Sequence, residues 1–161
     1  MARDVYFALF DSHLRYGIPF WVMSSRYLLN ILVVLQKKAV RYIVGASQRQ
    51  SCRPIFVDKK ILTLSSLFIL ETATLVHKNI GSMERLPRLH DTRGADNLPL
   101  PIPTSTLIKK SLIYESKKMY NHLPADIKSL HVLRSFRVNL KRLLVSKAYY
   151  SIAEFYADSF I

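Results

Sequence analysis

The sequence predicts an all-α fold: an irregular helical bundle interrupted by a long Pro-rich connection, with room for a short β element near residues 98–110. Three observations predict it. Apolar residues recur at helical spacing through most of the 161 residues. The 4 glycines are too few for the tight turns of a many-stranded sheet. Pro87, Pro99, Pro101 and Pro103 gather in one stretch between two helix-rich segments.

Taken in order, Arg3 to Leu14 reads as a first helix. Val5, Ala8, Leu9 and Leu14 fall near helical spacing, and Phe7 and Phe10 widen the apolar face. Tyr16-Gly17-Ile18-Pro19 is its expected end, because glycine permits a left-handed cap and proline cannot continue the helix. Ser24 or Ser25 caps a second helix to about Val44, striped by Leu28, Leu32, Leu35, Ala39 and Ile43 and stopped by Gly45. Arg53-Pro54 breaks the chain, and Asp58 caps a short turn through Leu62. Thr63 or Ser65 opens a third long helix to about Asn79, with Gly81 as its cap. Leu67, Phe68, Ile69, Leu70, Thr74, Leu75 and Val76 make this helix apolar nearly all round, as expected at the centre of a core.

The alternating Pro99, Pro101 and Pro103 favour an extended path. Leu86, Leu89, Leu98, Leu100 and Ile102 are available to anchor it. Thr106 to Ile113 reads as a short strand or a helix entry. Ser111 to His122 reads as helix, stopped by Leu123-Pro124, and Asp126 to Leu130 as a single turn. Ser135 caps a helix carrying Phe136, Leu140, Leu143 and Leu144 on one face. Ser151 caps a last short helix, with Glu154 placed for a capping box. The chain thus divides into a helical segment 1–81, a Pro-rich connection 82–105 and a basic helical extension 106–161.

Composition excludes several classes. With half of its residues apolar, the chain is no disordered basic tail. A lone Cys52 excludes a disulfide scaffold and any Cys-based zinc module, and fits a reducing cytoplasmic or nuclear setting. No stretch approaches the roughly 18 consecutive apolar residues of a membrane span. Asp4 and Asp11 do not suit a signal or transit peptide.

The net charge of +13 is concentrated at the two ends. Residues 1–60 hold ten Lys and Arg against three acids, residues 61–105 four against four, and residues 106–161 ten against four. Such a surplus favours a polyanionic partner, nucleic acid before an anionic membrane surface. Lys37, Lys38 and Arg41 lie three and four apart on the second helix, opposite its apolar stripe, as a phosphate-contacting ridge. Arg134, Arg137 and Lys141 repeat the arrangement. The bland alternative is that these cations solubilise the chain and complement the negative ends of their helices.

No hydrolytic, metal or small-molecule site is expected. The five histidines are scattered, and HExxH, phosphate-loop, GxGxxG and nucleophile-elbow patterns are missing. Tyr156-Ala157-Asp158-Ser159 resembles the Tyr-Ala-Asp-Asp turn of reverse transcriptases, whose carboxylates hold two Mg²⁺ ions on a hairpin between apolar strands. Here Ser159 replaces the second Asp and the flanks read as a terminal helix, so no catalytic role is expected.

Other blocks along the chain resemble one family in order. Tyr6 to Leu14 with Tyr16-Gly17-Ile18 and Trp21 is similar to "LFxSHLxYGIxxWG". Leu35-Gln36-Lys37-Lys38-Ala39-Val40-Arg41 is similar to "LQKKAIR", and Ile61-Leu62-Thr63-Leu64 to "ILTL". His90-Asp91-Thr92-Arg93 is similar to "[YH]-N-T-R", and Tyr120-Asn121-His122-Leu123-Pro124 with Ile127 to "YNxLPxxI". Phe136, Leu140, Leu143, Leu144, Ala148-Tyr149-Tyr150-Ser151 and Glu154-Phe155 are similar to a closing "F…LK..LL..AYYSxxEF". Together they resemble the C-terminal region of the jockey-like, LINE-type non-LTR retrotransposon polyproteins. Val22 departs from the family, standing where it usually has Gly, and Pro19 and Phe20 make that turn bulkier.

The resemblance implies a helical thumb and C-terminal extension of an RNA-directed DNA polymerase. The palm with its catalytic carboxylates lies outside the matched region, so the chain is not expected to be an enzyme on its own. The Mg²⁺ of the parent polymerase belongs to the palm, and no cofactor is expected here. The implied activity is auxiliary, binding RNA or an RNA–DNA hybrid through Lys37, Lys38 and Arg41. Arg93 either reaches RNA or ties down the Pro-rich connection. Two alternatives stay open: a helical module docking on the missing polymerase core, or a degenerate copy with no independent function.

Overall fold

The computed structural model describes residues 2–21, 26–81, 97–100 and 111–160. Their order is α1 (Ala2–Val5), a π-helical segment (Tyr6–Asp11), α2 (Ser12–Trp21), α3 (Arg26–Val44), α4 (Arg53–Asp58), α5 (Leu64–Asn79), α6 (Leu112–His122), α7 (Ala125–Lys128), α8 (Leu133–Lys147) and α9 (Ile152–Ala157). The fold is all-α and irregular, with no strand among the described residues. Residues 98–100 are irregular, and the rest of the possible β element, residues 101–110, lies outside the described residues.

Helix α5 is the axis of the molecule, packed by α2, α6 and α8. Leu67, Phe68, Ile69, Leu70, Ala73 and Val76 are all buried, as the all-round apolar sequence predicts. Leu14 and Ile18 of α2, Met119 and Tyr120 of α6, and Phe136, Leu140 and Leu144 of α8 complete this core. Thr72 and Thr74 are tolerated inside it because their hydroxyls donate to the carbonyls of Phe68 and Leu70, at 2.7 and 2.6 Å. Thr63 caps α5 by accepting the Ser66 N–H at 3.2 Å, and its hydroxyl donates to the Tyr149 carbonyl. One side chain therefore starts the central helix and ties it to the C-terminal segment.

A second core gathers Tyr6, Val40, Cys52, Ile55, Phe56, Ile61 and Ala148. Gln36, 2% exposed, stitches it to the first. Its amide nitrogen donates to the Tyr6 hydroxyl at 3.0 Å and to the Leu62 carbonyl at 2.9 Å. Its oxygen accepts the Leu64 N–H at 2.9 Å, one of the donors that the start of α5 leaves without an intrahelical partner.

The first helix departs from expectation. It runs through Gly17 and Pro19 to Trp21 rather than ending at Tyr16–Pro19. Continuing one turn past Leu14 carries Ile18 into the core at 1% exposure, which offsets the ladder bond proline cannot make. Helical periodicity does not signal the π segment either. Tyr6 and Asp11, five apart, are both buried, whereas an α-helix would turn them about 140° from each other.

Helix α3 is rotated from the predicted stripe. Leu29, Leu32, Val33, Gln36, Val40 and Ile43 face inward, while Leu28 and Leu35 are half exposed. The run Leu28-Leu29-…-Leu32-Val33-Val34-Leu35 offers two apolar faces, and the hydrogen bonds of Gln36 select one. The Ser24/Ser25 cap lies outside the described residues, and Gly45, at φ +65°, ends α3 as expected.

Arg53-Pro54 starts a helix instead of breaking one, since proline in the first turn removes only an N–H with no partner there. Asp58 closes that helix rather than capping a turn. Ile80, not Gly81, caps α5. Helix α8 begins a residue after Val132, placing Ser135 in its first turn rather than at its cap. Leu75 is half exposed, the outward edge of α5. The other caps hold. Ser111 accepts the Tyr114 N–H, Leu123 ends α6, and Ser151 accepts the Glu154 N–H while the Glu154 carboxylate takes the Tyr150 N–H at 3.0 Å. Of the anchors expected for the Pro-rich connection, Leu98 is buried, and its backbone N–H and carbonyl are held by the Asn121 amide at 2.7 and 2.9 Å. Leu100 is exposed, and Leu86, Leu89 and Ile102 lie outside the described residues.

Candidate nucleic-acid interface

The sequence places seven cations in candidate roles, and the fold treats them in three ways. Lys37 and Arg41 are half buried and engaged. The Lys37 ammonium sits 4.1 Å from the centre of the Tyr150 ring. Arg41 donates twice to the Gln50 carbonyl, at 3.0 and 2.9 Å, securing the loop that follows α3. Arg137 is half exposed but turned toward α5. Its guanidinium grips Glu71 with two bonds of 3.0 and 2.7 Å, and Glu71 also accepts from Arg15, which pairs with Asp11 at 2.6 Å. This alternating chain from Asp11 to Arg137 joins the π segment, α2, α5 and α8.

Lys38, Arg134 and Lys141 are exposed and make no hydrogen bond or ion pair with another described residue. Arg134 and Lys141 are two turns apart on α8, about 10 Å by helical rise. Arg93 lies outside the described residues.

Two residues that sequence spacing does not single out complete a cluster beside Lys37 and Arg41. Arg53 lies 4.7 Å from the same Tyr150 ring and pairs with Glu154 at 2.9 Å. Tyr150 is thus held between two cations. Burial and the Cys52 side chain push its phenol up, while Arg53 and Arg41 pull it back. No periodicity in the sequence marks this cluster, because α3, α4 and the segment before α9 meet only in the fold.

The Tyr156–Ser159 segment is tied into the fold. Asp158 pairs with Lys147 at 2.8 Å and accepts the Tyr149 hydroxyl, and both bonds hold its carboxyl below the ordinary range. Tyr156 ends inside α9, its hydroxyl on Glu115 at 3.2 Å. Among the described residues no three His, Cys, Asp or Glu side chains come together. No described helix is long and apolar enough to cross a membrane.

Comparison with protein-family models, curated proteins and solved structures found no match to this chain.

Proposed function

We propose that this chain is the thumb and C-terminal extension of a non-LTR retrotransposon reverse transcriptase and binds the phosphate backbone of RNA or an RNA–DNA hybrid. The observation that carries the reading is the unbalanced surface. Asp11, Asp58, Glu71, Glu154 and Asp158 hold cations within the fold, and among the described residues Lys38, Arg134 and Lys141 pair with no acid. The ordered sequence blocks supply the family. A second reading, a module docking on a protein partner, is favoured by the apolar side chains that α3 exposes.

The test uses a labelled RNA–DNA hybrid and the variant Lys38→Glu/Arg134→Glu/Lys141→Glu. Lys37 and Arg41 are poor targets, since both hold the fold together. At low salt the variant should bind at least tenfold more weakly. The slope of log affinity against log salt should fall by about 2–3, near 0.9 for each phosphate no longer neutralised. Equal binding by variant and parent, or no binding by the parent at low salt, defeats the reading.

A further inference from the structure

Helix α3 turns one face into the molecule and leaves the other uncovered by described residues. Ile31, Val34 and Leu35 are 40%, 50% and 44% exposed, and Tyr42 is 87% exposed. Ile31, Leu35, Lys38 and Tyr42 follow one another at intervals of four, three and four. That spacing draws a straight seam on a helix, and helices pair along such a seam. The seam is apolar in its first half and carries Lys38 in its second, with Arg41 at its edge. No acid occurs anywhere from residue 26 to residue 44.

We propose that this face docks an amphipathic helix of another protein, one with apolar anchors for Ile31 and Leu35 and a carboxylate opposite Lys38. The proposal takes up the docking reading and names the chemistry of its partner; it does not depend on nucleic-acid binding. Three other occupants fit less well. A second copy aligned in parallel sets Lys38 against Lys38. An antiparallel copy sets Lys38 against an apolar residue, and neither supplies an acid, so a charge is buried without a partner. A lipid surface suits cations on the two flanks of an apolar sector, whereas Lys38 lies within the seam. A phosphate backbone offers nothing to Ile31, Val34 and Leu35. One polar position inside an apolar seam is the device that sets register and partner choice between paired helices.

The experiment measures fluorescence anisotropy of a synthetic four-heptad peptide added to the full chain. The peptide carries Leu at its seam positions, one Glu within the seam and Glu on both flanks, which keeps it from pairing with itself. A counterpart carries Lys at every Glu position. The acidic peptide should bind at least tenfold tighter than the basic one. Lys38→Glu should reverse that preference. Ile31→Ser/Leu35→Ser, which leaves the charge unaltered, should abolish binding while its circular dichroism, thermal midpoint and RNA–DNA hybrid binding stay those of the parent. Equal binding of both peptides, or of neither, overturns the proposal. So does preferential binding to phosphatidylserine vesicles, or a concentration-dependent dimer that the double variant disperses. Loss of hybrid binding together with peptide binding in the double variant overturns it as well, by assigning the apolar face to nucleic acid.

Discussion

Helices α3 and α5 are similar in length and both rich in apolar residues, yet the fold uses them differently. Residue after residue of α5 is buried, and its buried polar side chains, Ser66, Thr72, Thr74 and His77, are satisfied within the helix or by neighbours. Helix α3 buries one face, fixed by a single glutamine, and shows solvent a second apolar face. Apolar content alone therefore does not place a helix in a core. What places α5 is that three helices and a capping threonine close around it, while the described residues approach α3 from one side.

That contrast is open to attack. The largest effect is expected from Phe68→Ala. Deleting a fully buried ring at the centre of α5 should cost about 3–5 kcal/mol by urea denaturation. Gln36→Ala should cost about 1–3 kcal/mol, because the Leu64 N–H, the Leu62 carbonyl and the Tyr6 hydroxyl lose a buried partner together. Gln36→Glu, which keeps the acceptor and loses the donors, sharpens the assignment if it recovers little of that loss.

A smaller effect should follow pH at the end of α5. His77 is stacked 3.9 Å from Phe136 and bonded to the Tyr120 hydroxyl at 2.9 Å. Burial holds its imidazole below the ordinary 6.5; nearby His131 acts the same way, and the carbonyls of Leu130 and His131 oppose them. The unfolded chain then takes up a proton that the folded chain refuses. Stability is full above the unfolded value, falls as pH drops through it, and levels off below the folded value. The urea midpoint should be lower near pH 5 than near pH 7.5, and His77→Phe should remove that share of the difference. The smallest effect is expected from Leu35→Ala, within about 0.5 kcal/mol of the parent. A cost comparable to that of Phe68→Ala would mean that α3 turns its other face inward.

Much of this fold is legible in the sequence, and the failures share a cause. Thr63, Ser111 and Ser151 announce their helices because a cap is a local bond between residues three apart. The all-round apolar content of α5 announces its burial. Gly17, Pro19 and Pro54 mislead because their local rules yield to packing of Ile18 in one case, and in another depend on which turn of the helix they occupy. Leu28 and Leu35 mislead because two apolar faces cannot be ranked without knowing where Gln36 bonds. The candidate interface is legible as charge but not as arrangement. Spacing groups Arg137 with Arg134 and Lys141, and only the fold turns it toward Glu71. Tyr150 joins Lys37 and Arg53 across roughly a hundred residues of sequence, beyond the reach of any periodicity.

The bond from the Thr63 hydroxyl to the Tyr149 carbonyl, spanning 86 residues, bears on how the chain is made. On a ribosome α5 emerges long before α6 and α8 exist to cover it. Through that interval the central helix of the protein has α2 beside it but neither α6 nor α8, a state prone to aggregation or chaperone capture. Helix α5 is fully sheltered only once residues 112–147 have arrived.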